Sequence, residues 1–252
     1  MKILLTLSYL GTDFCGYQIQ PKGRTVQGEL NAAAKALFGF DCDVTGCSRT
    51  DTGVHANTFC ATVTKRGERS IETTVDIGRM PLALNAHLPC DIAVKNAEWV
   101  SEEFHPRYDV EYKEYVYRIY NFPTRDPMES GRSWHIPYAL DSEALDKMNR
   151  AAASFVGKHD FSTFMASGST VESTVRDVKY VEVKRDGDVI LFKVAADGFL
   201  YNMVRIMTGT LVDVARGKIS ADGISAIIES RDRRLAGMTA PAEGLYLNKV
   251  VY

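Results

Sequence analysis

Ser48-Arg49-Thr50-Asp51-Thr52-Gly53-Val54-His55-Ala56 is a polar run set inside an alternating apolar stretch, and its reading decides the fold. From about Val44 to Val63 the sequence alternates as two short strands around the polar residues Ser48 to Asn57. A loop held in a β-framework is a common seat of binding and catalysis, because the strands fix its ends while its tip meets solvent. This loop offers one carboxylate, one guanidinium and a glycine that lets backbone come close to a ligand.

Working outward, Ile3 to Tyr9 reads as a strand, and Val26, Leu30, Ala33, Leu37 and Phe38 recur at helical spacing, with Thr25 as N-cap and Gly39 as stop. Ile92 to Val100 is a further strand, and Phe104 to Tyr108 looks like a crossing between halves. Beyond it Tyr115, Tyr117 and Ile119 share one face of a strand, with Val116, Arg118 and Tyr120 on the other. Leu145, Met148, Ala152 and Phe155 mark a helix that Gly157 is expected to end. Strands near Val175 to Val183 and Val189 to Ala195 are joined through the hairpin dipeptide Asp186-Gly187. Met203, Ile206, Met207, Thr210, Leu211 and Val214 follow at helical period; a short helix near Ile224 to Ser230 and an alternating strand, Leu245 to Tyr252, come last.

Each half mixes strands with helices, which predicts an α+β protein with a large, mainly antiparallel sheet and helices on one face. The division is expected near residue 105, giving halves 1–105 and 106–252 that share a cleft. No repeat or low-complexity linker interrupts the chain.

Composition narrows the classes. The 252 residues are 45% hydrophobic and 25% charged, as soluble globular proteins are. No stretch approaches the roughly 20 apolar residues of a membrane span, and the start, MKILLTLSYLGTDF, lacks a cleavage site, so a cytoplasmic location is expected. Five scattered cysteines (15, 42, 47, 60 and 90) suggest neither a disulfide framework nor a zinc knuckle. A net charge of -2 means that any nucleic acid must be held by a local patch of Lys and Arg.

The nucleotide-binding glycine motifs, H-E-x-x-H and G-x-S-x-G are all absent, and the five histidines never stand at metal-ligand spacing. Alone, Asp51-Thr52-Gly53 reads first as an Asx-type turn between strands. An aspartic protease needs two such segments to share a proton, and the chain carries one, with Arg49 close enough to disturb that sharing. An unrelated aspartyl hydrolase stays open at this point only through that motif.

The nine residues resemble the R-T-D-x-G-V-H-A signature of the TruA family of tRNA pseudouridine synthases. The resemblance continues in order along nearly the whole chain: Tyr9-Leu10-Gly11-Thr12, Phe14-Cys15-Gly16-Tyr17-Gln18, Arg24-Thr25-Val26-Gln27, Asn85-Ala86-His87-Leu88-Pro89, Phe104-His105-Pro106-Arg107-Tyr108, Tyr115-Val116-Tyr117, Gly157-Lys158-His159-Asp160-Phe161, Phe199-Leu200-Tyr201-Asn202-Met203-Val204-Arg205 and Glu243-Gly244-Leu245-Tyr246-Leu247. Leu10, Tyr17 and Glu114 depart from the family's usual Asp, Trp and basic residue.

The resemblance implies a pseudouridine synthase fold of two α+β halves around one long antiparallel sheet with a central cleft. It implies isomerisation of uridine at positions 38, 39 and 40 of the tRNA anticodon arm, without cofactor or metal, by a homodimer. Asp51 would be the essential carboxylate and Arg205 the cation that keeps it ionised. Tyr115 would stack on the extruded uracil and take part in removing its C5 proton, while Arg49 would enter the RNA and hold the base out. Lys22, Arg24, Lys65, Arg66 and Arg107 are further candidates for phosphate contacts. Other members of the family modify other positions, and a non-catalytic RNA-binding protein of the same fold is the remaining alternative.

Overall fold

In the computed structural model, which describes residues 1–168 and 171–252, the chain forms two compact units. The first comprises Met1–Glu111 with Tyr246–Tyr252, the second Tyr112–Leu245. The division thus falls six residues beyond the expected break, and the last strand lies with the first unit, where β-pairing takes it.

The first unit runs β1 (Lys2–Tyr9), α1 (Val26–Phe38), β2 (Cys42–Gly46), β3 (His55–Lys65), α2 (Met80–Asn85) and β4 (Ile92–Val100). β1 lies antiparallel between β3 and β4, with a register shift near Leu7 on both sides. The other edge of β3 takes two partners in succession. Its later half pairs antiparallel with β2, Cys42 opposite Lys65 and Gly46 opposite Ala61. Its first residues, His55 and Ala56, pair in parallel with Tyr246 and Leu247 of the last strand. The residues between β2 and β3 are therefore a loop between two pairing zones of one strand.

Helix α1 begins and ends as its sequence dictates. Thr25 accepts a hydrogen bond from the Gly28 N–H at 3.2 Å, and Gly39, at φ 78°, donates to Lys35 O at 2.9 Å. Val26, Leu30, Ala33 and Ala34 form its buried stripe, on the side where it packs against β2. Ile3, Leu5, Leu7 and Phe59 are fully buried in the sheet, and each such side chain contributes about 1.5–3 kcal/mol. The six-residue α2, opening on Met80-Pro81, is too short to show a helical period in the sequence.

The second unit runs β5 (Tyr112–Tyr120), β6 (Trp134–His135), α3 (Ser142–Ala153), β7 (Gly157–Asp160), β8 (Val175–Asp186), β9 (Val189–Ala196), α4 (Met203–Ala215) and α5 (Ile224–Ser230), and its Leu245 opens β10 (Leu245–Val251). β5, β9, β8 and β7 are successive antiparallel neighbours, and β6 adds a short parallel bridge to β5. β8 and β9 are joined by the two residues 187 and 188, with Gly187 at φ 58° as a tight hairpin requires.

α3 ends at Ala153 with Ser154 as its C-cap, short of Gly157. Gly157, at φ 107°, opens β7 instead, while Phe155 is buried just beyond the helix. An apolar residue two positions past the helix end, and three after Ala152, keeps the helical spacing without the helical backbone, which is why the sequence overstates α3. α4 packs on α3 and β5, with ten of its thirteen residues buried. No helix among the described residues is long and apolar enough to cross a membrane.

Candidate active site

Asp51 lies in the loop between β2 and β3, between a buried Thr50 and an exposed Thr52. The N–H of Val54 donates to the Asp51 carbonyl at 3.1 Å, and Gly53, third in that four-residue turn, stands at φ 80°. A positive φ there is the mark of a type II turn and selects glycine. A turn does stand at Asp51-Thr52-Gly53, as the sequence suggests, and the bond that closes it is the backbone one from Val54 to Asp51.

A second segment, residues 11–17, locks this turn. Tyr17 N–H donates to Thr50 O at 3.1 Å, Gly53 N–H to Phe14 O at 3.3 Å, and Gly11 N–H to Nδ1 of His55 at 2.9 Å. The hydroxyls of Tyr9 and Thr50 share a hydrogen bond of 2.8 Å. Both glycines are needed. Gly16 has φ 87°, and a Cβ on it would stand 2.8 Å from Thr50 O; a Cβ on Gly11 would overlap Val54 O. The carboxylate-bearing loop is therefore clamped on both sides of Asp51 by backbone that tolerates no side chain.

His55 is fully buried and its ring stacks on Tyr246 with centroids 4.5 Å apart, which ties the start of β3 to the start of β10. Its Nδ1 acts as the acceptor for Gly11, so that nitrogen carries no proton. Tyr17 stacks on Phe59 at 4.5 Å, with its phenol against Gly46, where a Cβ would meet the hydroxyl at 2.7 Å. Among the described residues that hydroxyl has no hydrogen-bond partner, and burial raises its pKa, with Cys47 adding to the rise.

In the second unit Tyr115 sits on β5 opposite Val194 and is 7% exposed. Phe199 meets its ring edge-on, centroids 4.9 Å apart at 81°, which sets the plane of the phenol. Arg205 lies in the first turn of α4. Its Nε donates to Ala240 O at 2.7 Å and its Nη1 to Asn202 Oδ1 at 2.6 Å. Asn202, at the N-cap position, holds a left-handed conformation, φ 61°, and its side chain accepts from Arg205 instead of capping the helix. With two donors so directed, the guanidinium has a fixed plane.

Asp51 and Arg49 thus belong to the first unit, Tyr115 and Arg205 to the second, and Arg49 is exposed. Among the basic residues considered for phosphate contacts, Arg24 is already engaged. Its guanidinium grips Asp91 through two bonds of 2.6 and 3.0 Å, reaches Glu29 at 2.6 Å and lies over the Phe14 ring at 4.2 Å. It ties Phe14 to Glu29 of α1 and to Asp91, with 35% of its side chain still exposed. Lys65 and Arg66 make exposed pairs with Glu68 and with Asp41 and Asp43. Arg107 lies over the exposed ring of Tyr108. Among the described residues no three His, Cys, Asp or Glu side chains come together as a metal site.

The chain belongs to the tRNA pseudouridine synthase family, whose model matches residues 6–109 and 151–252. It is similar over almost its whole length to proteins named tRNA pseudouridine synthase A. That of Acetivibrio thermocellus is 44% identical, with 99% of each chain covered. That of Halalkalibacterium halodurans is 44% identical over 97% of this chain and 90% of its own. That of Ruminiclostridium cellulolyticum is 43% identical over 100% and 99%.

Proposed function

We propose that this chain isomerises uridine to pseudouridine in tRNA, with Asp51 as the essential carboxylate. The reaction breaks the bond from ribose C1′ to uracil N1, turns the base and joins C1′ to C5. Oxidation state is unchanged, so no redox cofactor is demanded, in keeping with a sequence that carries no nucleotide-binding motif. The observation that carries the reading is the Asp51 turn, clamped by residues 11–17, in a chain matched along nearly its full length by family members.

Asp51 attacks the sugar or the base, or removes a ribose proton. A carboxylate leaving water for this work needs a cation to stay ionised, and Arg205 supplies it. Tyr115 offers its braced ring to the everted uracil, replacing the stacking lost on extrusion, and its hydroxyl takes part in removing the C5 proton, while N1, freed from C1′, gains one. Arg49, exposed beside the turn, enters the RNA and holds the base out. The enzyme acts as a homodimer in the cytoplasm on uridines 38, 39 and 40 of the anticodon arm. Two subunits add their phosphate contacts, which suits a chain of net charge -2.

The test is incubation with unmodified tRNA transcripts, without added metal or cofactor, followed by position-resolved mapping. Pseudouridine at 38, 39 and 40 is expected. Product at other positions only would refute the target while keeping the reaction, and absence of product would refute the activity.

A further inference from the structure

The segment from Arg233 to Pro241 lies across α4 like a strap, and two features seat it there. Gly209 of α4 faces Met238, and a Cβ on that glycine would overlap Met238 O. Gly237 faces the same turn of helix, where its own Cβ would stand 2.6 Å from Thr210 N and 2.7 Å from Gly209 C. Gly237 N–H donates to Thr210 Oγ1 at 2.9 Å. At the outer end Arg233 Nη1 donates to Ala236 O at 3.3 Å and Gly237 O at 2.9 Å, and its Nη2 to Thr239 Oγ1 at 3.3 Å.

At the inner end two consecutive carbonyls accept from two different elements. Ala240 O accepts from Arg205 Nε at 2.7 Å, while Ala240 N–H returns a bond to Arg205 O at 3.1 Å. Pro241 O accepts from the hydroxyl of Tyr117 on β5 at 2.6 Å. Tyr117 is fully buried, and Gly244 packs on its ring so closely that a Cβ would stand 2.6 Å from Cε1. Burial raises the pKa of this phenol, against the pull of the Arg205 charge and with some help from Glu243, so it stays a donor at any working pH.

Resting on the role proposed for Arg205, we infer that Tyr117 is a positioning residue for that guanidinium, acting through the strap. The hydroxyl fixes Pro241, the neighbouring peptide presents Ala240 O, and that carbonyl sets where Nε of Arg205 points. The strap thereby locks the arginine of α4 to the strand that carries Tyr115. Tyr117 touches no reacting atom, and its loss disturbs direction rather than charge. An ångström of misplacement in a catalytic group is enough to cost orders of magnitude in rate.

Tyr117→Phe removes the hydroxyl and keeps the ring. Single-turnover pseudouridine formation should slow roughly tenfold while tRNA affinity is unchanged. In an Arg205→Lys background the same substitution should cost nothing further, because the group being positioned is gone. Should Tyr117→Phe fail to fold, Arg233→Gln loosens the strap from its far end and should show the same dependence on Arg205. Full rate for Tyr117→Phe beside a slow Arg205→Lys, or equal losses in both backgrounds, would overturn the inference alone. Full rate for Arg205→Lys would overturn the role given to Arg205, and the inference with it.

Discussion

The backbone N–H of Gly11 donates to Nδ1 of His55 across 2.9 Å, joining the end of β1 to the first residue of β3. Both residues are buried, so the bond has no water to replace it. His55→Phe would keep a ring against Tyr246 and remove the acceptor. An orphaned buried N–H costs about 1–3 kcal/mol, and the variant should lose that much in urea-unfolding free energy. Unchanged stability would show that the bond contributes nothing.

Gly16 bears on activity more directly. Alanine there must adopt φ 87° and push a methyl to 2.8 Å from Thr50 O, on the residue preceding Asp51. The left-handed conformation alone costs about 1–2 kcal/mol. Gly16→Ala should stay folded by circular dichroism and yet slow single-turnover isomerisation by roughly tenfold or more, as a displaced catalytic loop does. A fast, folded variant would mean that the clamp does not aim Asp51.

Asp160 gives a pH-dependent test of stability. Its carboxyl accepts from Thr174 Oγ1 at 2.6 Å and Ser162 N–H at 3.0 Å, and Arg231 lies 3.2 Å away. The Thr174 bond holds its pKa below the ordinary carboxylate value, burial opposes, and Ser162 and Arg231 assist. A depressed folded-state pKa stabilises at pH above the unfolded value of about 3.9 and is lost as pH falls through the folded value. Asp160→Asn should therefore cost about 1 kcal/mol at pH 7, with the difference from wild type vanishing in acid. A difference constant with pH would refute the charge-based account.

Much of this architecture is legible in the sequence because local chemistry decides it. Thr25 and Gly39 bound α1 by capping alone, and Tyr115 and Tyr117 fall on one face because strands alternate. The parallel pairing of Tyr246 with His55 joins residues far apart in the chain, and no local pattern encodes it. Arg24 shows the same limit from the other side. Its charge was visible, but the carboxylates of Asp91 and Glu29 that engage it were not. Tyr117 is the sharpest case. A tyrosine on a buried strand face reads as packing, and only the carbonyl of Pro241, 124 residues away, reveals what its hydroxyl holds.

The most direct measurement is position-resolved pseudouridine mapping after unmodified tRNA is incubated with Asp51→Ala, alongside a binding assay on the same variant. Retained tRNA binding with no pseudouridine formed is the expected outcome. Pseudouridine accumulating at the wild-type rate would contradict the assignment of the reaction to this carboxylate.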